Sequence, residues 1–291
     1  MMKPVTPFQI LLICASLCFT ARLAAAVDVH VPAEVQAGQA FSIHLEGSGS
    51  ATLYLVGPDH VVKRSVNLGS DPEVGSADLR TAGRYRLIVC DASCSSATFE
   101  VKAAEPSQLS FFLHPSRVPV SARDSIDAFA FVFDRYSNLV LTPSTVNFQI
   151  KPATGILSSR QSPTHHGVAW MRMDSTSHEG PVRVTAVLGR VEEARVIQQV
   201  AAEPCALHIK AAESGRNVVL ETDPVRDCSG NALPDGTVVS FTKTDKAGRS
   251  TVDTPIKKGI AKTEFPLDGP AKISVACGVV LGNEIAVDGR L

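Results

Sequence analysis

Two stretches of the chain carry an aspartate and an asparagine at the same spacing, Asp134-Arg-Tyr-Ser-Asn138 and Asp227-Cys-Ser-Gly-Asn231. Side-chain oxygens gathered in loops are what a hard cation such as calcium takes, and Asp223, Asp227, Asn231 and Asp235 fall in or near one loop region. The same residue types also build turns, because their side chains bond the backbone two residues on and tolerate unusual dihedrals. Turn-making is the reading adopted. Asp134, Asn138, Asp227 and Asn231 are assigned as structural turn residues, and no metal or cofactor is assigned. The pair His165-His166 and the pair His178-Glu179 lack a further ligand at metal spacing and read as solvated loop residues.

Covalent chemistry finds no better footing. There is no Gly-x-Ser-x-Gly elbow and no phosphate loop. A cysteine nucleophile needs an accessible thiolate beside a histidine. Cys228 sits in a loop, but the histidine of its region, His208, falls on an expected strand. No catalytic residue is assigned, and the chain reads as a non-enzyme. Sugar platforms use exposed aromatic faces, and the chain has one Trp and three Tyr. Trp170 lies between Ala169 and Met171, which belong on a buried strand face. Its indole therefore points outward and is the candidate partner contact, packing against a neighbouring module being the other use of such a ring.

The first residues are of a different kind. Lys3 precedes an apolar run from Phe8 to Phe19, and Ala24-Ala25-Ala26 offers small residues where a signal peptidase reads. Residues 1–26 are expected to be a secretory signal. The apolar run is short for a span and Arg22 interrupts its far end, so no stable membrane span is expected after its removal. Ile13 and Leu17 precede Cys14 and Cys18, where a lipoprotein would place a small residue.

Without that segment the cysteines are Cys90, Cys94, Cys205, Cys228 and Cys277, an odd number. Export favours disulfides. The three residues between Cys90 and Cys94 suit a bond across a tight turn. One further bridge is expected to include Cys228, with Cys205 or Cys277 as its partner. A formal net charge of −1 gives no basic face for nucleic acid. The chain also contains no Asn-x-Ser/Thr glycosylation signal, which favours a bacterial source for an exported protein.

These residues must be held by strands. Val239 and Phe241 alternate with Val238 and Ser240. Ile273, Val275 and Cys277 alternate with Lys272, Ser274 and Ala276. Phe129, Phe131 and Phe133 alternate with Ala128, Ala130 and Val132. Period two means one face buried and one wet or covered. Strands at roughly ten-residue spacing, broken by Gly, Pro, Asn and Asp, argue for antiparallel sandwiches.

The chain also repeats itself. Ala103-Ala-Glu-Pro106 recurs as Ala201-Ala-Glu-Pro204. After each come an Asp-to-Asn loop, a Val-x-Phe strand, His166-Gly-Val-Ala169 or Lys258-Gly-Ile-Ala261, and Gly180-Pro-Val-Arg-Val or Gly269-Pro-Ala-Lys-Ile. Four features in one order mark two copies of one domain type. The expected division is 27–104, 107–202 and 205–291, with semi-rigid Glu-Pro joints.

In the first of these regions, Gly83-x-Tyr85 before an alternating strand resembles the corner that enters strand F of an immunoglobulin sandwich. In the last, Asp227-x-x-x-Asn231, Val239-x-Phe241, Gly259-x-Ala261 and Ile273-Ser-Val-Ala276 resemble bacterial immunoglobulin-like domains of the invasin and intimin type. The match covers about Cys205–Asp288 well, and the middle region less closely, with Ser137 where the family has glycine. The resemblance implies an all-β fold of tandem immunoglobulin-like sandwiches, a periplasmic, extracellular or cell-surface location, and a spacer or adhesion role without catalysis. The partner would be a protein or glycan of the cell envelope. An accessory module of an envelope enzyme complex, such as a polysaccharide-processing system, is the alternative role.

Overall fold

The computed structural model describes residues 28–288. The expected signal segment 1–26, with Cys14 and Cys18, and the last three residues lie outside that range. The described chain is all-β, its strands interrupted by one short 3-10 turn at Ser76–Leu79. It divides into two compact units. Unit 1 runs through Pro106 and includes Phe133–Val140; unit 2 comprises Ser107–Val132 and the chain from Leu141 onward.

In unit 1 a five-stranded sheet has the order Glu34–Gln36, Cys94–Lys102, Gly83–Cys90, Gly49–Val56, Val61–Leu68. The first pairing is parallel and the others antiparallel. Phe41–Ser42 pairs with Glu73–Val74 in a separate ribbon. Alternation sends Tyr85, Leu87 and Val89 inward to meet Leu53, Leu55, Ile43 and Leu45 in one buried cluster. The corner expected before that strand is present. The Tyr85 hydroxyl donates to the Thr81 carbonyl at 2.9 Å, and its ring stacks on Phe99 with centroids 5.5 Å apart. A side chain at Gly57 would meet the Tyr85 ring at 2.5 Å, so the corner needs glycine there.

Two further pairs of sheets are built from unit 2, except that Pro106 and the last two residues of Ile126–Asp134 are counted in unit 1. One pair sets Val168–Met173, Ile126–Asp134 and Pro106–His114 against Ser158–Pro163, Thr145–Pro152, Gly180–Leu188, Val191–Val200 and Arg117–Pro119. Phe111 and Phe148 meet across them at 5.9 Å. The other pair sets Ile209–Ser214, Asn217–Thr222 and Lys262–Pro266 against Gly248–Pro255, Val238–Asp245, Ala271–Cys277 and Val280–Val287. Leu220 and Phe265 from the first of these sheets join Val239, Phe241, Ile273 and Val275 from the second in one core.

The sequence repeats are conformational repeats. His165 and Val168 exchange both backbone hydrogen bonds around His166 and Gly167, and Lys257 and Ile260 do the same around Lys258 and Gly259. Both central residues have positive φ in each, 50° and 81° in one and 52° and 84° in the other. That is the turn whose twist matches paired strands.

The strand Ile126–Asp134 buries its small face. Ala128, Ala130 and Val132 are inside, and the phenylalanines between them lie on the half-exposed face. Alternation predicted two unequal faces, and packing against the opposed sheet made the alanine side the inner one.

Candidate functional site

The outward face of that strand carries aromatic side chains from Ile126–Asp134 and both of its neighbours. Register pairs Phe129 with Trp170 and Asp127 with Arg172 across neighbouring strands. Ala169 and Met171 are buried and turn Trp170 outward, leaving it 49% exposed. The indole stacks on Phe129 with centroids 6.4 Å apart and planes 30° from parallel. On the other side of the same strand, Phe131 meets the exposed Phe112 edge-on at 5.8 Å. The Arg172 guanidinium lies 5.7 Å from the indole centroid and is bidentate to Asp127, at 2.7 and 3.2 Å. That hydrogen bond holds the Asp127 carboxyl below its usual range, with a smaller contribution from the Trp170 side chain.

Three strands thus present Phe112, Phe131, Phe129 and Trp170 as an aromatic strip edged by one neutralised ion pair. Such a strip can stack against flat or apolar groups, and it is a form of exposed patch that marks contact sites. Trp170 was legible in the sequence. Phe129 and Phe131 were legible as an alternating row but not as the outer one, and Phe112 was missed. The doublet Phe111-Phe112 was its only signal, because adjacent strand residues must take opposite faces.

The two Asp-to-Asn loops fold alike. Asp134 Oδ1 accepts from the amides of Tyr136 and Asn138, at 2.8 and 2.9 Å. Asp227 Oδ1 accepts from the amides of Ser229 and Asn231, both at 2.9 Å. The second oxygen of each takes its own asparagine's side-chain amide, at 2.9 Å from Asn138 and 3.0 Å from Asn231. Burial alone would raise both carboxyls, but the asparagine and backbone donors outweigh it and hold both pKa values below the usual range. These carboxylates are filled with N–H donors, which is turn chemistry. Asp223 is engaged by Lys210, and Asp235 accepts from the Lys258 amide at 2.8 Å. Of the four oxygen-bearing residues considered for calcium, only Asp227 and Asn231 meet. Among the described residues no group of three His, Cys, Asp or Glu side chains is arranged to hold a metal.

Cys90 and Cys94 are joined by a disulfide, and so are Cys205 and Cys228; Cys277 is a buried thiol. Burial, and then the charge of Glu203, push the Cys277 thiol up, away from the thiolate form a nucleophile needs. His165 and His166 sit on the exposed positive-φ turn. His178 shares a 3.0 Å contact with Ser177, and Glu179 is exposed beside it. In unit 1, Asp59 lies 2.7 Å from His60 and accepts from Thr81 at 2.8 Å. There the hydroxyl is on the carboxylate and not on the imidazole, the reverse of what activates a nucleophile.

No family model matches the chain, and no curated protein matches it. Among solved structures, FdeC, a broadly conserved Escherichia coli adhesin, superposes with a TM-score of 0.59 at 13% identity, over 90% of this chain and 96% of its own. Invasin, a bacterial integrin-binding protein, gives 0.48 at 9% identity, over 91% of this chain and 60% of its own. The fibronectin domains FN1–FN3 of chicken CNTN1 give 0.40 at 9% identity, over 92% of this chain and 98% of theirs. The likeness to FdeC shows the fold, a tandem array of immunoglobulin-like sandwiches. No helix among the described residues is long and apolar enough to cross a membrane.

Proposed function

We propose that this is an exported, non-enzymatic binding or structural protein of a bacterial envelope, built as three sandwiches at 27–104, 107–202 and 205–291, with an adhesion, adaptor or spacer role. The last sandwich is of the invasin and intimin type. Residues 1–26 direct export, and the two disulfides suit an oxidising compartment, periplasm or cell surface. FdeC is an adhesin of matching fold, which supports the role without naming a partner.

The observation that carries the reading is the aromatic strip of Phe112, Phe131, Phe129 and Trp170, an apolar surface on a sheet whose core is complete without it. The partner is a protein or glycan of the envelope that this strip contacts. Cross-linking the full mature chain in its host envelope, as wild type and as the Trp170→Ala/Phe112→Ala variant, tests it. One partner recovered with the wild type and lost with the variant is the expected result. Equal recovery by both removes the strip from the binding role and leaves the spacer role.

A further inference from the structure

The repeated phrase Ala-Ala-Glu-Pro has a physical counterpart in each unit. In unit 1 the Ala104 amide donates to Asp134 Oδ2 at 2.8 Å. Asn138 then reaches outside its own loop, donating to the Arg80 carbonyl at 2.7 Å and accepting from the Ala82 amide at 2.8 Å. In unit 2 the Ala202 amide donates to Asp227 Oδ2 at 3.0 Å, and Asn231 donates to the Ser177 carbonyl at 3.0 Å. The second alanine of each phrase is bound by the loop aspartate, and the loop asparagine grips a backbone carbonyl upstream of the phrase. Both loops therefore do the same thing, which is to fasten a connecting segment.

One difference between the two fastenings is covalent. Cys205 follows Pro204 and Cys228 follows Asp227, and their disulfide ties the connecting segment of unit 2 to its loop. The Cys205 amide also donates to the Arg226 carbonyl at 3.0 Å. At the first phrase the residues in the corresponding sequence positions are Ser107 and Arg135, neither a cysteine, so the fastening of Ala104 is made by hydrogen bonds alone. Cys205 and Cys228 are both exposed, outside the buried core of the last sheet pair. The segment runs beside an open groove of about 830 Å³ lined by Val120, Ser121, Leu233 and Thr237. Neither sulfur belongs to the buried core cluster of the last sheet pair. The bond restrains the segment between two sheet pairs, where an external thiol can reach it.

We propose that Asp227, Asn231 and the Cys205–Cys228 disulfide form a redox-gated latch on Ala201–Cys205, and that the matching latch of Asp134 and Asn138 is redox-insensitive. The gate opens by exchange with a dithiol. One thiolate of the dithiol attacks Cys205 or Cys228 Sγ and forms a mixed disulfide, releasing the other cysteine, which takes a proton. The second thiolate of the dithiol then attacks the dithiol sulfur of the mixed disulfide and expels the remaining cysteine, which takes a proton, leaving an oxidised dithiol and two cysteine thiols. Two electrons and two protons pass to the protein. The closed state holds the segment covalently, and the open state leaves it on hydrogen bonds like those of unit 1.

Backbone amide exchange tests this on the full mature chain of the Cys90→Ser/Cys94→Ser variant, so that only one disulfide responds, with and without dithiothreitol. The expected result is that exchange at Ala202 rises by at least about tenfold, while exchange at Ala104 and at the core amides of Phe241 and Val275 is unchanged. The Asp227→Asn substitution in the oxidised protein should raise exchange at Ala202 less than reduction does. No change at Ala202 on reduction overturns the gate. A rise at Phe241 and Val275 equal to that at Ala202 also overturns it, because the disulfide is then an ordinary staple of the last sandwich. If the Cys90→Ser/Cys94→Ser variant fails to fold, Cys205→Ser/Cys228→Ser compared with wild type reads the same amides.

Discussion

The side-chain amide of Asn231 donates to the carbonyl of Ser177 at 3.0 Å, across 54 residues of chain. The residue that shapes a local turn thereby also fixes a distant segment. Its partner Asp227 is 3% exposed and accepts from Ala202, Ser229 and Asn231. Replacing Asp227 with alanine strands these donors, at about 1–3 kcal/mol for each that stays buried. Urea denaturation of the variant should show that loss in unit 2, and Asp134→Ala should show its counterpart in unit 1.

The same carboxylates set an acid limit. Their pKa values are held below the ordinary carboxylate range in the folded state, which lies at about 3.9 for aspartate in an unfolded chain. Their contribution is complete above that value and is lost as pH falls through the lowered folded pKa. Stability measured from pH 6 down to pH 2 should fall more steeply for the wild type than for an Asp134→Asn/Asp227→Asn variant. The variant is the less stable protein at neutral pH. Equal acid slopes would remove the carboxylates from the account.

Ser137 and Gly230 occupy the same place in the two loops, with φ of 67° and 86°. That conformation costs a residue with a side chain roughly 1–2 kcal/mol, partly offset by the greater entropy of an unfolded glycine. Ser137→Gly should therefore stabilise unit 1 by about 0.5 kcal/mol, and Gly230→Ala should destabilise unit 2 by about 1 kcal/mol. A side chain at Gly230 meets nothing within 4 Å, so the backbone alone sets that cost. Thermal melts of the two variants read the opposite signs directly.

The repeats, the strands and the outward turn of Trp170 were legible in the sequence because each is a local pattern. So was the corner at Tyr85. What was not legible depends on contacts between distant segments. Alternation along Phe129, Phe131 and Phe133 is symmetric, and only the opposed sheet decides that Ala128 and Ala130 go inside. Cys205 and Cys277 were both open as partners of Cys228, and the choice of Cys205 follows from the connecting segment lying on the Asp227 loop. The Ala-Ala-Glu-Pro phrase announced a junction, but the bonds from Ala104 and Ala202 span 30 and 25 residues and leave no periodic trace.

Tyr85 sets an alkaline limit. Burial first, and the nearby Asp59 charge second, push its phenol up to about 12 from an ordinary 10.0. A group whose folded pKa is raised contributes stability that is complete below its unfolded pKa and lost as pH rises toward the folded one. Unit 1 should weaken between pH 10 and 12, and Tyr85→Phe should abolish that dependence. At pH 7 the same substitution removes the bond to Thr81 and costs about 1 kcal/mol. Gly57→Ala should cost more, about 1–3 kcal/mol, because its methyl would sit 2.5 Å from a ring that the stack on Phe99 holds in place.

Trp170 separates binding from folding. The indole is half exposed and rests on Phe129 at the surface, with its neighbours Ala169 and Met171 filling the core. Trp170→Ala should change stability by no more than about 1 kcal/mol, where a buried tryptophan would cost about 3–5 kcal/mol. Arg172→Ala makes a sharper probe, because it frees the Asp127 carboxylate beside the indole and adds an unbalanced negative charge to the strip. A partner that stacks on the aromatic rings loses affinity with Trp170→Ala. One that is itself anionic loses affinity with Arg172→Ala as well, increasingly so at low salt, where charge is less screened. Titration of any partner recovered by the cross-linking against both variants at two salt concentrations therefore reads the chemistry of the contact. Full affinity for both would place the contact elsewhere on the chain.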